Sequence, residues 1–247
     1  MGTLVLIHGF PLSARMWEPQ LELAEQGWRI IAPQLRGFDG TPSPSSVATS
    51  VDNYAGDIID LLDGLHVDHA VIGGLSMGGY ITFALFRLAP RYFRAMVLAD
   101  TRAQVDPPQA IEGRKKMMAA VHEQGVTAAA DEMLPKLVCD STRTNQPEVV
   151  ATLRAMMLEN SADVVAGAIA ALMTRPDSLP LLPSIHCPTL ILVGDADAIT
   201  PPAMSEEMQR SIPGAELAVI ADAGHMSNME QPVAFNRTLS RFLERRV

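Results

Sequence analysis

The string Gly74-Leu75-Ser76-Met77-Gly78 limits what this chain can fold into more than any other stretch. The apolar run His69-Ala70-Val71-Ile72-Gly73 leads into it and reads as a buried strand. The residues that follow, Gly79-Tyr80-Ile81-Thr82-Phe83-Ala84-Leu85, are mostly good helix formers. A chain that passes from strand to helix in so few residues must turn sharply on the serine. A side chain at Gly74 or Gly78 would collide across that turn, so the flanking positions need glycine. The hydroxyl of Ser76 is then exposed at a helix N-terminus, where free N–H groups and the dipole favour negative charge. This suits a nucleophile. The same five residues also fit a structural turn with an incidental serine, so the functional reading depends on partners elsewhere in the chain.

Six short runs rich in Val, Ile and Leu are bounded by turn residues, at positions 3–7, 29–32, 70–73, 95–99, 189–193 and 216–220. They are near-continuously apolar rather than alternating, as expected of parallel strands covered on both faces. Helical patterns at 17–26, 51–65, 76–89, 201–212 and 233–245 lie between or after them. In the second, Ile58, Leu61, Leu62 and Leu65 supply the apolar stripe. In the fourth, Thr200 reads as the cap with Pro201 in the first turn. Phe235, Leu239, Phe242 and Leu243 mark the inner face of the last. Alternating strands and helices predict an α/β fold with a mostly parallel sheet of about six strands, flanked by helices and joined by right-handed crossovers.

Between Asp100 and Pro188 the strand signal disappears. Four helix-like patterns rich in Ala and Met take its place, at 109–124, 128–138, 148–158 and 163–173. The expected organisation is a core of residues 1–100 and 188–247, with a helical cap insertion at 101–187 over one end of the sheet. A chain of 247 residues that is 48% hydrophobic can bury a core of that size. A net charge of −9 without a basic run weighs against nucleic acid or an anionic membrane as partner. Residues 70–86 are uncharged and approach the length of a membrane span, but four glycines favour a buried strand followed by a buried helix. Cys139 and Cys187 form neither a disulfide framework nor a zinc spacing. With no signal-peptide pattern around Met1–Ile7, the expectation is a soluble cytoplasmic protein of unspecified oligomeric state.

A serine hydroxyl needs a base to take its proton and a third group to hold that base. His225 follows the last strand, where loops of an open parallel sheet gather, and is the candidate base. Of the other histidines, His8 reads as a brace for its loop, and His66, His69, His122 and His186 read as surface or capping residues. The orienting acid is assigned to Asp197, with Asp100 as a rival site and Asp195 as a turn-stabilising neighbour. Serine, then acid, then histidine is the chain order of hydrolases with a nucleophile elbow. Two N–H groups complete the set as oxyanion donors, that of Met77 directly after the serine and that of Phe10 in the loop after the first strand. No metal or organic cofactor is implied.

His8-Gly9-Phe10-Pro11, Arg36-Gly37, Gly74-Leu75-Ser76-Met77-Gly78-Gly79, Gly194 with Asp197, Pro201, and Gly224-His225 with Glu230 and Pro232 together resemble the α/β-hydrolase superfamily over essentially the whole chain. The opening segment with Trp17 is similar to small bacterial carboxylesterases and cofactor-free haloperoxidase relatives, and the elbow to 3-oxoadipate enol-lactonases. Departures from the pattern are Gln34, Asp39 and Thr41, and a missing hairpin before the first strand. Serine rather than aspartate at the elbow implies acyl transfer.

The activity expected from the resemblance is hydrolysis of a small-molecule carboxylic ester through an acyl-enzyme. An enol-lactone type lactonase, a carbon–carbon bond hydrolase and a slow or non-catalytic ligand-sensing or scaffold protein are the alternatives. Trp17, Met133, Leu134, Leu137, Ile199 and Met226 are the expected pocket residues. Further insertion residues, Met117, Met118, Met156, Met157 and Met173, are read either as adaptable lining or as core. Arg102 and Arg143 are candidates to bind a substrate carboxylate, against the simpler reading of each as a solvated side chain.

Overall fold

The computed structural model describes residues 2–38 and 50–247; Asp39 and Thr41 lie outside the described residues. Six parallel strands form one sheet: β1 (Thr3–Ile7), β2 (Arg29–Ile31), β3 (Ala70–Leu75), β4 (Phe93–Ala99), β5 (Thr189–Gly194) and β6 (Glu216–Ile220). Their order is β2-β1-β3-β4-β5-β6. The period of two along β1 explains why the sequence looked apolar throughout. Leu4 and Leu6 enter the apolar layer on one face, while Val5 and Ile7 enter the layer on the other. The inner strands β3 and β5 are buried along their whole length. The edge strand β6 departs from the expected two-sided burial, with Val219 52% exposed.

Helix α1 (Val51–Gly64) buries Val51, Tyr54, Ala55, Ile58 and Leu62. Leu65, expected on that stripe, instead caps the helix C-terminus and is exposed. The first helical segment, Ala14–Gln26, starts earlier than its pattern and is a 3-10 helix. Pro19 sits inside it and has no N–H to give to an α-helical ladder. Residues 70–86 resolve into β3 followed by α2 (Met77–Leu88). Among the described residues no single helix is long and apolar enough to cross a membrane.

Between β4 and β5 lie α3 (Pro108–Gln124), α4 (Val126–Leu137), α5 (Asp140–Asn145), α6 (Pro147–Leu158) and α7 (Ala162–Thr174), followed by a 3-10 turn at Leu179–Ser184. Helix α5 has no counterpart among the sequence patterns, because six residues are too few to show a period. Helices α3 and α7 pack on each other, as do α4 and α6. After β5 come α8 (Pro202–Ser211), the single turn α9 (Ser227–Glu230) and α10 (Pro232–Arg246). Thr200 does not cap α8. Pro201 takes that position and Pro202 opens the helix.

Candidate active site

The backbone at Ser76 has φ 56° and ψ −113°, in the left-handed half of conformational space that a side chain disfavours. The strain is held in place on both sides. Ser76 N–H donates to Ala99 O at 3.0 Å, and Thr101 Oγ1 donates to Ser76 O at 2.8 Å. A Cβ at Gly74 would stand 2.2 Å from the backbone of Gly78, and one at Gly78 would stand 2.1 Å from Ile7 O. Relief would need the first turn of α2 or the end of β1 to shift, so both positions call for glycine.

Ser76 and His225 wall the same pocket, of about 80 Å³. The loops after five strands reach it: Phe10 after β1, Ser76 and Met77 after β3, Arg102 after β4, Ile199 after β5 and His225 after β6. This is the carboxyl end of the sheet, where ligands bind in open parallel folds. Three helices between β4 and β5 close it over, through Arg114 of α3, Met133 of α4 and Leu172 of α7.

His225 is 2% exposed, and its Nδ1 lies 2.9 Å from Asp197 Oδ2. Asp197 Oδ1 accepts the N–H groups of Ile199 and Thr200 at 2.8 and 2.9 Å, and Oδ2 accepts the Thr200 hydroxyl at 2.6 Å. Burial works to raise the Asp197 pKa, but the His225 ring and the Thr200 donors outweigh it and hold the carboxyl at about 2. An ionised Asp197 fixes the proton on His225 Nδ1 and leaves the Nε2 lone pair as the basic position of the ring.

Asp100, the rival acid, is engaged elsewhere. Its Oδ1 accepts Gly194 N–H at 2.8 Å and its Oδ2 accepts the Ser227 hydroxyl. Burial, reinforced by the charge of Asp197, pushes its pKa well above the ordinary carboxylate value. Asp195 accepts Ala223 N–H at 3.3 Å and so ties the loops after β5 and β6 together.

Two N–H groups are left over beside Ser76. Neither Phe10 nor Met77 donates its backbone N–H to a protein acceptor among the described residues, and both residues wall the pocket. His8 braces this loop from behind. Its Nε2 accepts Leu35 N–H at 3.2 Å, its Nδ1 faces Gly9 O at 3.1 Å, and its ring meets Phe38 edge-on.

Of the six side chains expected to line the pocket, Met133 and Ile199 do so. Trp17 is buried against Phe235 of α10 instead. Leu134, one position past Met133 and so about 100° round α4, is half-buried and packs against the apolar layer that holds Leu137 and Met226 rather than lining the pocket. Leu137 and Met226 are sealed behind the site, where Met226 N–H donates to Leu137 O at 3.1 Å. Met156 and Met157 are core, and Met117, Met118 and Met173 pack against core. Arg102 walls the pocket, whereas Arg143 is half exposed and pairs with Asp140 on α5.

Tyr80, Arg114 and Leu172 also wall the pocket, and the sequence reading did not include them. Tyr80 carried a usable signal, because it lies four residues after Ser76 and so one helical turn along the same face. Arg114 and Leu172 carried none, since only the packing of α3 and α7 brings them in.

The chain belongs to the α/β-hydrolase family, whose family model, described as alpha/beta hydrolase fold, matches residues 2–232. It is a hydrolase with esterase and enol-lactonase neighbours. A thermophilic esterase from Thermogutta terrifontis, solved with malate bound, superposes with a TM-score of 0.94 at 41% identity, covering 99% of this chain and 90% of that one. The enol-lactonase from Burkholderia xenovorans LB400 superposes with a TM-score of 0.90 at 27% identity, over 98% of this chain and 91% of that one. In sequence, 3-oxoadipate enol-lactonase 2 of Acinetobacter baylyi is 28% identical over 98% of this chain and 88% of its own length.

Proposed function

We propose that the protein hydrolyses carboxylic esters of small molecules through an acyl-enzyme, with Ser76 as nucleophile, His225 as general base and Asp197 as the group that orients it. His225 Nε2 takes the Ser76 proton as the oxygen attacks the carbonyl. The N–H groups of Phe10 and Met77 receive the negative charge that develops on the carbonyl oxygen, each worth about 3 kcal/mol of barrier. The imidazolium then gives its proton to the leaving alcohol, and a water molecule activated by the same base releases the acid. In this reading residues 101–187 act as a cap over a core made of 1–100 and 188–247.

One observation carries the reading: a strained serine, a histidine held by an ionised aspartate, and two unspent N–H groups border one small cavity. The carboxylesterase assignment draws support from the esterase neighbour at 41% identity. A lactone is an ester closed on itself and would follow the same steps, and the enol-lactonase relatives favour that second reading.

The test is covalent labelling by a fluorophosphonate together with turnover of p-nitrophenyl esters of graded chain length and of lactones. Wild type should label at Ser76, and Ser76→Ala should lose on the order of 10⁶-fold in turnover, by analogy with other triads. Full activity in purified Ser76→Ala would overturn the assignment. Absence of labelling and turnover in wild type would point to the non-catalytic alternative.

A further inference from the structure

Part of the pocket wall carries positive charge that the acidic group beside it does not fully neutralise. Asp106, whose side chain is 1% exposed, accepts hydrogen bonds from Arg102 Nη2, Arg114 Nε and Arg175 Nη2. Burial alone would raise the Asp106 pKa, but the Arg175 and Arg114 contacts dominate and hold it far below the ordinary carboxylate range. Three guanidiniums therefore surround one ionised carboxylate, an excess of two positive charges.

The three arginines are not equivalent. Arg175 is the most engaged of the three: it also donates to Leu172 O at 2.6 Å and Gln104 O at 3.0 Å, and it stacks on the Tyr80 ring at 4.2 Å. Arg102 gives Asp106 only its Nη2, and its Nε is buried without a partner. Arg114 gives Asp106 only its Nε. Those two, and not Arg175, wall the pocket that holds Ser76. No carboxylate is among the described residues that wall it; the other lining groups are apolar or neutral, apart from the Ser76–His225 pair.

We infer that Arg102 and Arg114 form a subsite for a substrate carboxylate, so that the preferred substrate is an ester or lactone carrying a second, free carboxylate a short chain away from the scissile carbonyl. A guanidinium presents a planar fork of donors that matches the two oxygens of a carboxylate. A substrate carboxylate would offset the excess positive charge on this wall, which a neutral substrate of the same shape would not. The small cavity keeps the two ends of such a substrate close. Leu172, Met133 and Ile199 would cover the methylenes between them. The inference rests on the acyl-transfer reading of Ser76. It makes Arg102 and Arg114 specificity-determining residues, outside the proton-transfer chain.

The paired substrates that test it are ethyl hydrogen glutarate and ethyl valerate, which match in chain length and differ in the terminal carboxylate, followed by pH-stat. Wild type should favour the half-ester in kcat/KM by about tenfold or more, with the difference mainly in KM. In Arg102→Gln and in Arg114→Gln the ratio of the two kcat/KM values should fall about ten- to a hundredfold, the range of a lost charge-assisted hydrogen bond. A readout that needs no variant is protection: glutarate, and not glutaramide, should slow fluorophosphonate labelling of Ser76 in wild type. Turnover of both esters without preference for the half-ester, or equal protection by glutarate and glutaramide, overturns the subsite and leaves the hydrolase assignment standing. Failure of every ester together with failure of Ser76 to label removes the hydrolase assignment and this inference with it.

Discussion

Cys139 donates its backbone N–H to Glu230 Oε2 at 2.8 Å, across 91 residues of chain. The other oxygen of that carboxylate accepts Gly224 N–H at 2.8 Å and Met226 N–H at 3.2 Å. One buried side chain, 1% exposed, therefore clamps the backbone on both sides of His225 and fastens that loop to the start of α5. It touches none of the reacting groups, so it is a positioning residue.

Glu230→Gln removes the charge and turns an N–H₂ group toward backbone donors that need an acceptor. The expected loss is about 2–3 kcal/mol of stability, read as a lower midpoint in urea. The kcat on any ester that is turned over should fall while its KM changes less, because the base is displaced and the substrate walls are not. A variant with unchanged midpoint and unchanged kcat would show that the clamp does not hold the histidine.

Asp197→Asn keeps the shape but cannot hold the Nδ1 proton of His225 in the same way. A fall in kcat on the order of 10⁴ is expected, as in serine proteases with the equivalent change. Stability gives a second reading. The carboxyl titrates at about 2 in the fold against 3.8 normally, so its contribution is complete above 3.8 and is lost as pH falls toward 2. The stability gap between wild type and Asp197→Asn should therefore narrow over that acid interval in denaturant titrations. A gap independent of pH would contradict the pairing.

Asp100 has the opposite sign. Its folded pKa is raised, so the stability it contributes is present below 3.8 and is lost as pH rises through the folded value. Asp100→Asn replaces it with a neutral group able to accept from Gly194 and donate to Ser227, and asparagine tolerates the φ of 43° at that position. Relative to wild type, the variant should gain stability as pH rises from 4 towards 8. A relative loss over that interval would mean that the carboxylate is ionised in the fold.

Two glycine substitutions should move stability in opposite directions. Gly78→Ala drives a methyl group into Ile7 O, a contact that only a shift of β1 can relieve, and should lower stability by about 3 kcal/mol or more. Gly113→Ala, in the exposed face of α3 with nothing within 4 Å, should raise stability by about 0.5–1 kcal/mol. Thermal midpoints separate the two outcomes, and a neutral Gly78→Ala would mean that the elbow is looser than its contacts imply.

Local rules made most of the frame legible. The strands at 3–7 and 216–220 coincide with β1 and β6, and the others differ by one or two residues at their ends. Ser76 and His225 were readable because each sits in a short glycine-containing loop directly after an apolar run. Asp197 was assigned over Asp100 from its place in the chain although both follow a strand, and it is Asp197 that lies against His225. Thr200 was read as a helix cap from its place before Pro201, and its hydroxyl instead binds Asp197, three residues back. Trp17, Leu137 and Met226 were read as lining, and they pack behind the site in the core instead.

The sequence by itself determined the parallel α/β sheet, the sharp turn at Ser76 and the order serine, acid, histidine, because periodicity and glycine placement act over a few neighbouring residues. Only the tertiary structure decided how close Asp197 lies to His225, which side chains wall the cavity, and that Arg102 and Arg114 are among them. Those outcomes depend on how α3, α4 and α7 pack above the ends of distant strands. A contact between residues a hundred positions apart leaves no local pattern from which it could be read.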